Sequence, residues 1–409
     1  MLQGLYNGLS GLRTSQLALD VAGANIANVN TKGYQKRIFY SESNPSIVRH
    51  NNTLGTGVTD QPIKRAHNEM IFSNLKNSLS QLNSDSAYKN GLSTLNDKLT
   101  NSVNSKTDLN SLISNMYSSL EKLSEQPINK SLQIDFKDKL SSVLERKNNL
   151  INSLDSSIKE ADIKINDTRD NINKKLNEFD SISQSIAEYE AANGPKIKNR
   201  YLNEMRDKRD LVEQELSELG SFRVQKTTQG SGKYNVSDEG NKIYSREVYE
   251  TSGQINGLKE VKSELIKLKK LFENSFSSFE NDLNQKYTEF GNNNLIENGR
   301  VTEEDLNFSK DLNLSDNTIS LNMLELRENP SPEESLKASI FSGFKQADTQ
   351  YMYSESLFDS YQENMDSVSK VNLDEEMVNI LKWQRAYEAN AAVIRTMDEI
   401  LKTTINLKS

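Results

Sequence analysis

One run of apolar residues constrains this chain more than any other. Ile151, Leu154, Ile158, Ala161, Ile165, Thr168, Ile172, Leu176, Phe179, Ile182, Ile186 and Tyr189 step by threes and fours with barely a slip. A stripe that narrow and regular holds one helix face toward a partner, so the spacing predicts a coiled-coil-like helix of about 60 residues. Helix breakers are sparse elsewhere too. No glycine occurs between Gly91 and Gly194, and neither glycine nor proline follows Gly343. All six prolines sit in polar or glycine-containing stretches. Long helices are therefore permitted along most of the chain.

Both ends carry the same kind of pattern. Leu2, Leu5, Leu9 and Leu12 open a register that Leu19 and Ile26 continue, with Gln16 and Gly23 as its weak points. The last segment carries Leu373, Met377, Ile380, Gln384, Tyr387, Ala391, Ile394, Asp398, Leu401 and Ile405. Polar Gln384 and Asp398 at seam positions fix register and partner number at some cost in stability. Each stripe is too narrow to stabilise a helix alone. The simplest way to bury both is to pack the termini together, or against copies of themselves.

Shorter registers fill the middle. They run through Ile71 to Leu99, Leu109 to Leu123, Leu202 to Leu219, Leu258 to Phe279 and Leu336 to Val368. Ser331-Pro332-Glu333-Glu334 reads as a helix start with cap and first-turn proline, and Asn372 with Glu375 reads as a second. The period changes at Phe222–Val224, Tyr234–Val236 and Ile243-Tyr244, among Gly230, Gly232 and Gly240. This predicts a small β-hairpin near 222–245, the only clear β segment. Residues 286–330 are polar and poorly periodic and read mostly as loop. The expected fold is mainly α. Residues 1–40 with 366–409 form a terminal helical domain, and 41–365 form an elongated helical bundle with that small β element. With 34% hydrophobic residues and a mean hydropathy of -0.72, the chain suits thin bundles better than a thick core.

Several function classes are excluded at this stage. A net charge of -8 with both signs mixed argues against nucleic acid, which calls for a concentrated basic face. No apolar run approaches a membrane span of roughly 20 residues, and no polybasic anchor is present. The start, MLQGLYNGLSGLRTSQ, lacks the basic and apolar regions of a cleaved secretory signal. The chain has no cysteine, which removes disulfides, thiolate catalysis and Cys-ligated metals. His50 and His67 lie in polar surroundings without a cluster at metal spacing, and read as structural. Gly55-Thr-Gly57-Val58 reads as a tight turn. Asp374, Glu375 and Glu376 complement a helix N-terminus. The single tryptophan, Trp383, beside the C-terminal seam, reads as a core or interface residue. No catalytic, cofactor-binding or metal residues emerge, so neither an enzyme nor a cofactor is expected.

The stretch from Val21 to Lys36, VAGANIANVNTKGYQK, carries the most specific signal. Asn25, Ile26, Asn28, Asn30, Thr31, Gly33 and Tyr34 end an amphipathic helix with good caps and a turn-forming glycine. Together with Ser10-Gly11-Leu12, this pattern resembles the N-terminal motif of bacterial flagellar rod, hook and junction proteins. VNLDEEMVNILKWQRAYEANAAVIRTMDEILKTTINL resembles their C-terminal motif. Within that superfamily the chain is most similar to the first hook–filament junction family, hook-associated protein one. The Asn372-Leu-Asp-Glu-Glu-Met opening carries that likeness, with Gly55-Thr-Gly57-Val58 before RAHNEMIF and YLNEMRDKRDLVEQELSEL before the hairpin. Residues 252–330 depart from better-known members, and the outer β domain reads as reduced or absent.

The resemblance implies a structural, type III-exported component of the extracellular flagellum at the hook–filament junction. It implies self-association in a ring or short helical zone, with the hook protein below and a second junction protein above. An export chaperone would hold the C-terminal helix. It further implies that the N- and C-terminal helices pair as an inner tube, disordered in the monomer and folding on assembly. Asn28 and Asn30 would cap the exit, Gly33 would permit the turn, and Tyr34 would pack back on the pair. The alternatives are a hook or distal rod protein of the same superfamily, or a secreted helical adhesin.

Overall fold

A computed structural model describes residues 2–49, 52–101, 108–193, 200–224, 246–289, 292–302, 306, 308, 317–328 and 332–406. The chain opens with α1 (Leu2–Ala27). Six short strands follow: β1 (Arg37–Ile38), β2 (Ser41–Ser43), β3 (Ile47–Arg49), β4 (Asn52–Leu54), β5 (Val58–Asp60) and β6 (Lys64–Arg65). Then come α2 (Glu69–Asn101), α3 (Leu109–Glu125), α4 (Lys130–Asn193), α5 (Arg200–Leu219), β7 (Ser221–Val224), β8 (Arg246–Tyr249) and α6 (Gly253–Thr288). The chain continues through β9 (Ile296–Glu297), β10 (Arg300–Val301), α7 (Thr318–Leu324), α8 (Pro332–Ser369) and α9 (Leu373–Asn406). It is mainly helical, and no large β domain occurs among the described residues.

The residues fall into two compact units. One comprises Met1–Ser80, Asn171–Glu250 and Glu355–Ser409; the other comprises Gln81–Asp170 and Thr251–Ser354. The second unit holds the larger apolar core. Leu109, Met116, Leu120 and Leu123 of α3 are buried with Phe136, Leu140 and Val143 of α4 and Val261, Leu265, Leu268, Phe272 and Phe276 of α6. The long register is confirmed: α4 has 64 residues, and Leu154, Ala161, Ile165, Thr168, Ile172, Phe179 and Ile186 are buried along it.

Two parts of the sequence reading need correction. Residues 286–330 are more than loop. Helix α6 runs on to Thr288, β9 and β10 form a hairpin, and α7 follows. Asn298 and Gly299 take positive φ (54° and 70°) at the hairpin turn, where Asn-Gly is strongly favoured. Leu295, Ile296, Leu306, Phe308, Ile319 and Met323 from this stretch are buried in the second unit's core, with Phe308 edge-on to Phe136 at 5.4 Å. Polar spacing hid the few apolar residues that matter.

The second correction concerns β structure. Residues 37–65 form an antiparallel arm in the first unit, paired β1 with β6, β2 with β5 and β3 with β4. The hairpin near 222–245 is therefore not the only β element. The arm's strands are two or three residues long, and β2 is exposed throughout, so no apolar alternation announces them. Of that expected hairpin, Phe222–Val224 is strand β7, and its partner is β8 at Arg246–Tyr249, beyond the strands expected. Tyr234–Val236, Ile243-Tyr244 and His50 lie outside the described residues.

Helix starts follow the sequence. The Asn68 side chain accepts hydrogen bonds from the backbone N–H groups of Met70 (3.0 Å) and Ile71 (3.3 Å) at the start of α2. Asn372 does the same for Asp374 (2.9 Å) at the start of α9. Helix α8 begins at Pro332, while Ser331 lies outside the described residues.

Candidate functional site

The candidate site is the terminal helix pair of the first unit and the turn leading away from it. Helices α1 and α9 pack antiparallel. The α1 face turned to α9 is a stripe of small residues: Gly4, Gly8, Gly11, Ser15, Ala18, Ala22 and Asn25, stepping by fours and threes. A Cβ built on Gly4 would lie 2.7 Å from Met397, one on Gly8 2.9 Å from Ile394, and one on Gly11 2.4 Å from Asn390. A bulky side chain at Gly8 would force the helices apart, whereas at Gly4 and Gly11 a small one meets only the ends of the Met397 and Asn390 side chains. The facing stripe of α9 runs Glu376, Ile380, Trp383, Tyr387, Asn390, Ile394, Met397 and Leu401.

The sequence-level seam overlaps this interface without coinciding with it. Ile380, Ala391, Ile394 and Leu401 on α9 and Leu5, Leu12, Leu19 and Ile26 on α1 are half-buried. Leu9 is 47% exposed, Leu373 45%, Met377 58% and Ile405 65%; Gln384 and Tyr387 are exposed as well. The side chain of Leu2 lies outside the described residues. Tyr6, Val378 and Leu381 add further exposed apolar surface on the same two helices. Residue size governs this choice of face. Glycine holes let the two backbones approach closely, so large side chains of α9 pack on α1 itself, and the leucines are left to the outside.

The exit from α1 is organised by Asn25. Its side-chain N–H groups donate to the Arg37 carbonyl (3.0 Å) and to Glu376 Oε1 (3.1 Å). Its oxygen accepts from the Arg37 N–H (2.9 Å) and the Tyr34 hydroxyl (2.9 Å). Asn25 is 1% exposed and Glu376 2%, so a buried amide joins the end of α1, strand β1 and the first turn of α9. Lys36 adds a second link, pairing with Glu375 (2.5 Å) and lying 3.7 Å from Glu376. The Lys36 hydrogen bond holds the exposed Glu375 carboxyl below the usual glutamate range.

The rest of the motif shapes the turn. The Asn28 side chain donates to the Ala24 carbonyl (2.9 Å), which also accepts the Asn28 backbone N–H (3.2 Å), and it accepts from Thr31 (3.2 Å). Asn30 is exposed, so the capping expected of it falls to Asn25 and Asn28. Ile26 is half-buried. Gly33 takes φ +80°, and a Cβ there would sit 3.2 Å from Leu211 of α5. Both the backbone angle and the close approach call for glycine. Tyr34 lies under the Arg37 guanidinium, 4.8 Å from ring centre to Cζ.

Sequence reasoning missed the layer beneath. Arg37 reaches Asp207 on α5 at 2.5 Å, Arg65 of β6 bridges Asp207 (3.1 Å) and Asp210 (2.7 Å), and Gln35 donates to Asp210 (3.3 Å). His67 stacks against Phe72 and lies 3.6 Å from Asp210, and Lys76 pairs with Glu213 at 2.6 Å. Burial pushes the Asp207 carboxyl above the usual aspartate range, against the pull of Arg37 and Arg65. The signal was present: Asp207, Asp210 and Glu213 step by three along α5 and are buried, beside the equally buried Arg209, Val212 and Leu216.

The β arm also touches α1. Gly57 takes φ +89°, and a Cβ there would strike Ser10 Oγ; residues 55–57 form an irregular link between β4 and β5, which pair with different strands, rather than the tight turn expected. Asn7 donates to the Gly55 carbonyl (3.1 Å), and the Val58 N–H donates to Ser10 (3.2 Å). Trp383 is half-buried and edge-on to Phe39 at 5.7 Å, an internal packing role. Among the described residues, no group of His, Asp and Glu could hold a metal ion, and no helix is long and apolar enough to cross a membrane.

Three family models match the chain. Residues 92–252 match the flagellar hook-associated protein FlgK helical domain. Residues 5–35 match the flagella basal body rod protein model, and 362–407 the C-terminal model of the flagellar basal body rod FlgEFG proteins. Flagellar hook-associated protein 1 of Escherichia coli is 24% identical over 235 residues, 57% of this chain and 41% of that protein. Its Bacillus subtilis counterpart is 27% identical over 247 residues, 58% of this chain and 46% of that protein. The chain thus spans less than half the length of these relatives. The flagellar hook junction protein FlgK of Burkholderia pseudomallei is a similar solved structure, with a TM-score of 0.39 and 15% identity over 52% of this chain and 43% of that one. Between two ends that match flagellar rod and hook axial proteins, the chain carries the helical domain of the flagellar hook-associated protein FlgK, and over more than half its length it is similar to flagellar hook-associated protein 1.

Proposed function

We propose that this chain is a non-enzymatic structural subunit of the extracellular flagellum, placed between hook and filament. The observation that carries the reading is the terminal pair. Its two helices meet through small residues and leave Tyr6, Leu9, Met377, Val378, Leu381 and Ile405 exposed. Apolar stripes on a paired helical element are what an axial subunit needs to contact its neighbours in a tube. In this reading residues 1–40 and 366–409 form the assembling element, and 41–365 lie outside it. The exposed members of the two registers, Leu9, Leu373, Met377 and Ile405, then supply contacts between copies. The hook protein is the partner on one side and a second junction protein on the other, with a short, closed zone of this chain between them. Before export, a chaperone covers the apolar C-terminal helix.

Purified protein mixed with isolated hooks tests this, with the tips imaged by electron microscopy. A short, saturating cap at distal hook ends is the expected result. Unlimited extension of the hook would replace the reading with a hook protein, and absence of tip binding would overturn it.

A further inference from the structure

The face that α1 turns to α9 gives closeness but little longitudinal definition. In the observed register Asn390 lies on Gly11, Ile394 on Gly8 and Met397 on Gly4. Sliding α9 by one heptad toward Gly4 would set Asn390 on Gly4, Tyr387 on Gly8, Trp383 on Gly11 and Ile380 on Ser15. Each large residue meets a small one again, so shape alone permits the slip. Trp383 would leave Phe39 and Glu375 would leave Lys36, and one contact that fails to repeat is buried. Glu376 would leave Asn25 and face Ala18, and a carboxylate that is 2% exposed would lose its amide donor and move away from Lys36. A buried charge without a partner is strongly disfavoured.

We propose that Asn25, Glu376 and Lys36 set the register of the terminal helix pair. A polar residue at a single seam position is a well-attested way for helices to fix their alignment. Here the polar residue also bonds both backbone groups of Arg37. The turn after α1 must therefore be formed before Glu376 finds its full set of partners, and alignment of the two ends is tied to the exit of the chain from the pair. Asn25, Glu376 and Lys36 are positioning residues in this sense: they decide which surfaces the pair presents.

The absence of natural cysteines makes this directly testable in the full chain. Three double variants report three alignments under mild oxidation. Gly11→Cys with Asn390→Cys traps the observed register. Gly4→Cys with Asn390→Cys and Ala18→Cys with Asn390→Cys trap a slip of one heptad in either direction. With the clamp intact, only the first pair should cross-link. Adding Asn25→Leu with Glu376→Leu removes both polar partners without orphaning either, and the ratio of slipped to native cross-link should rise at least tenfold. Glu376→Gln, which keeps an acceptor for Asn25, should stay in the native register. Three results would overturn the proposal: native cross-linking alone in the Leu/Leu background, slipped cross-linking with the clamp intact, or loss of every cross-link while the second unit still melts normally.

Discussion

The core of the second unit and the terminal pair of the first are held by different physics. The core interlocks fully buried Phe136, Phe272, Phe276 and Phe308 with leucines from three helices, and its stability is internal. The terminal pair has glycines where a core has side chains, and leaves several of its largest apolar residues in water. Its specificity comes from a buried polar clamp. The contrast teaches a division of labour: one region is complete in a single chain, and the other, in the proposed function, is finished by neighbours.

That contrast can be broken first where effects are largest. Phe276→Ala should cost about 3–5 kcal/mol through transfer and cavity losses. Asp207→Ala should cost a similar amount, about 3–5 kcal/mol, by leaving Arg37 and Arg65 buried without their shared partner. Chemical denaturation with two probes separates them. Far-UV circular dichroism follows the whole chain, and fluorescence of Trp383, the sole tryptophan, follows the first unit. Phe276→Ala should move the main transition and Asp207→Ala the fluorescence transition; a single shared shift for both would refute the division.

Gly8→Leu comes next. Overpacking costs about 1–3 kcal/mol, and here it should open the pair, red-shift Trp383 emission and abolish hook-tip binding while the bulk melting temperature holds. Smaller still in stability is Leu381→Glu, on the exposed face, at within about 0.5 kcal/mol. It should nonetheless abolish tip binding; retained binding would remove Leu381 from the contact surface. The smallest effect concerns pH. The carboxyl of Glu375 is lowered by Lys36, so its contribution to docking α9 is present above the ordinary glutamate value and is lost as pH falls through the lowered one. A Trp383 titration should show a step in this acid range that Lys36→Met removes.

How much of this was legible depended on what kind of residue carried the signal. Apolar periodicity revealed α4, α3 and both terminal helices, because Leu120 or Ile165 placed on the wrong face would cost burial. Capping revealed the starts at Pro332 and Asn372. The interface within the terminal pair was not read, although Gly4, Gly8, Gly11, Ser15, Ala18, Ala22 and Asn25 are regularly spaced. A search for large apolar residues passes over glycine, whose contribution is the approach it permits. The β arm stayed hidden because its strands gain stability by docking on α1 and α5 rather than by their own alternation. Asn298-Gly299 was a readable hairpin signal in a segment whose polar character drew attention away. For the clamp, Asn25 was recognised as an exit residue, but its bond to Glu376, 351 positions along the chain, is set by tertiary pairing.

The most direct test of the account is hydrogen exchange on free protein and on protein bound to isolated hooks. The account predicts strong protection of α3, the first half of α4 and α6 in both states. Helices α1 and α9 should be protected only weakly in the free chain, where they pair but leave apolar faces in water, and should reach the level of that core on the hook. Terminal helices as protected in the free chain as Leu120 or Phe276 would contradict it.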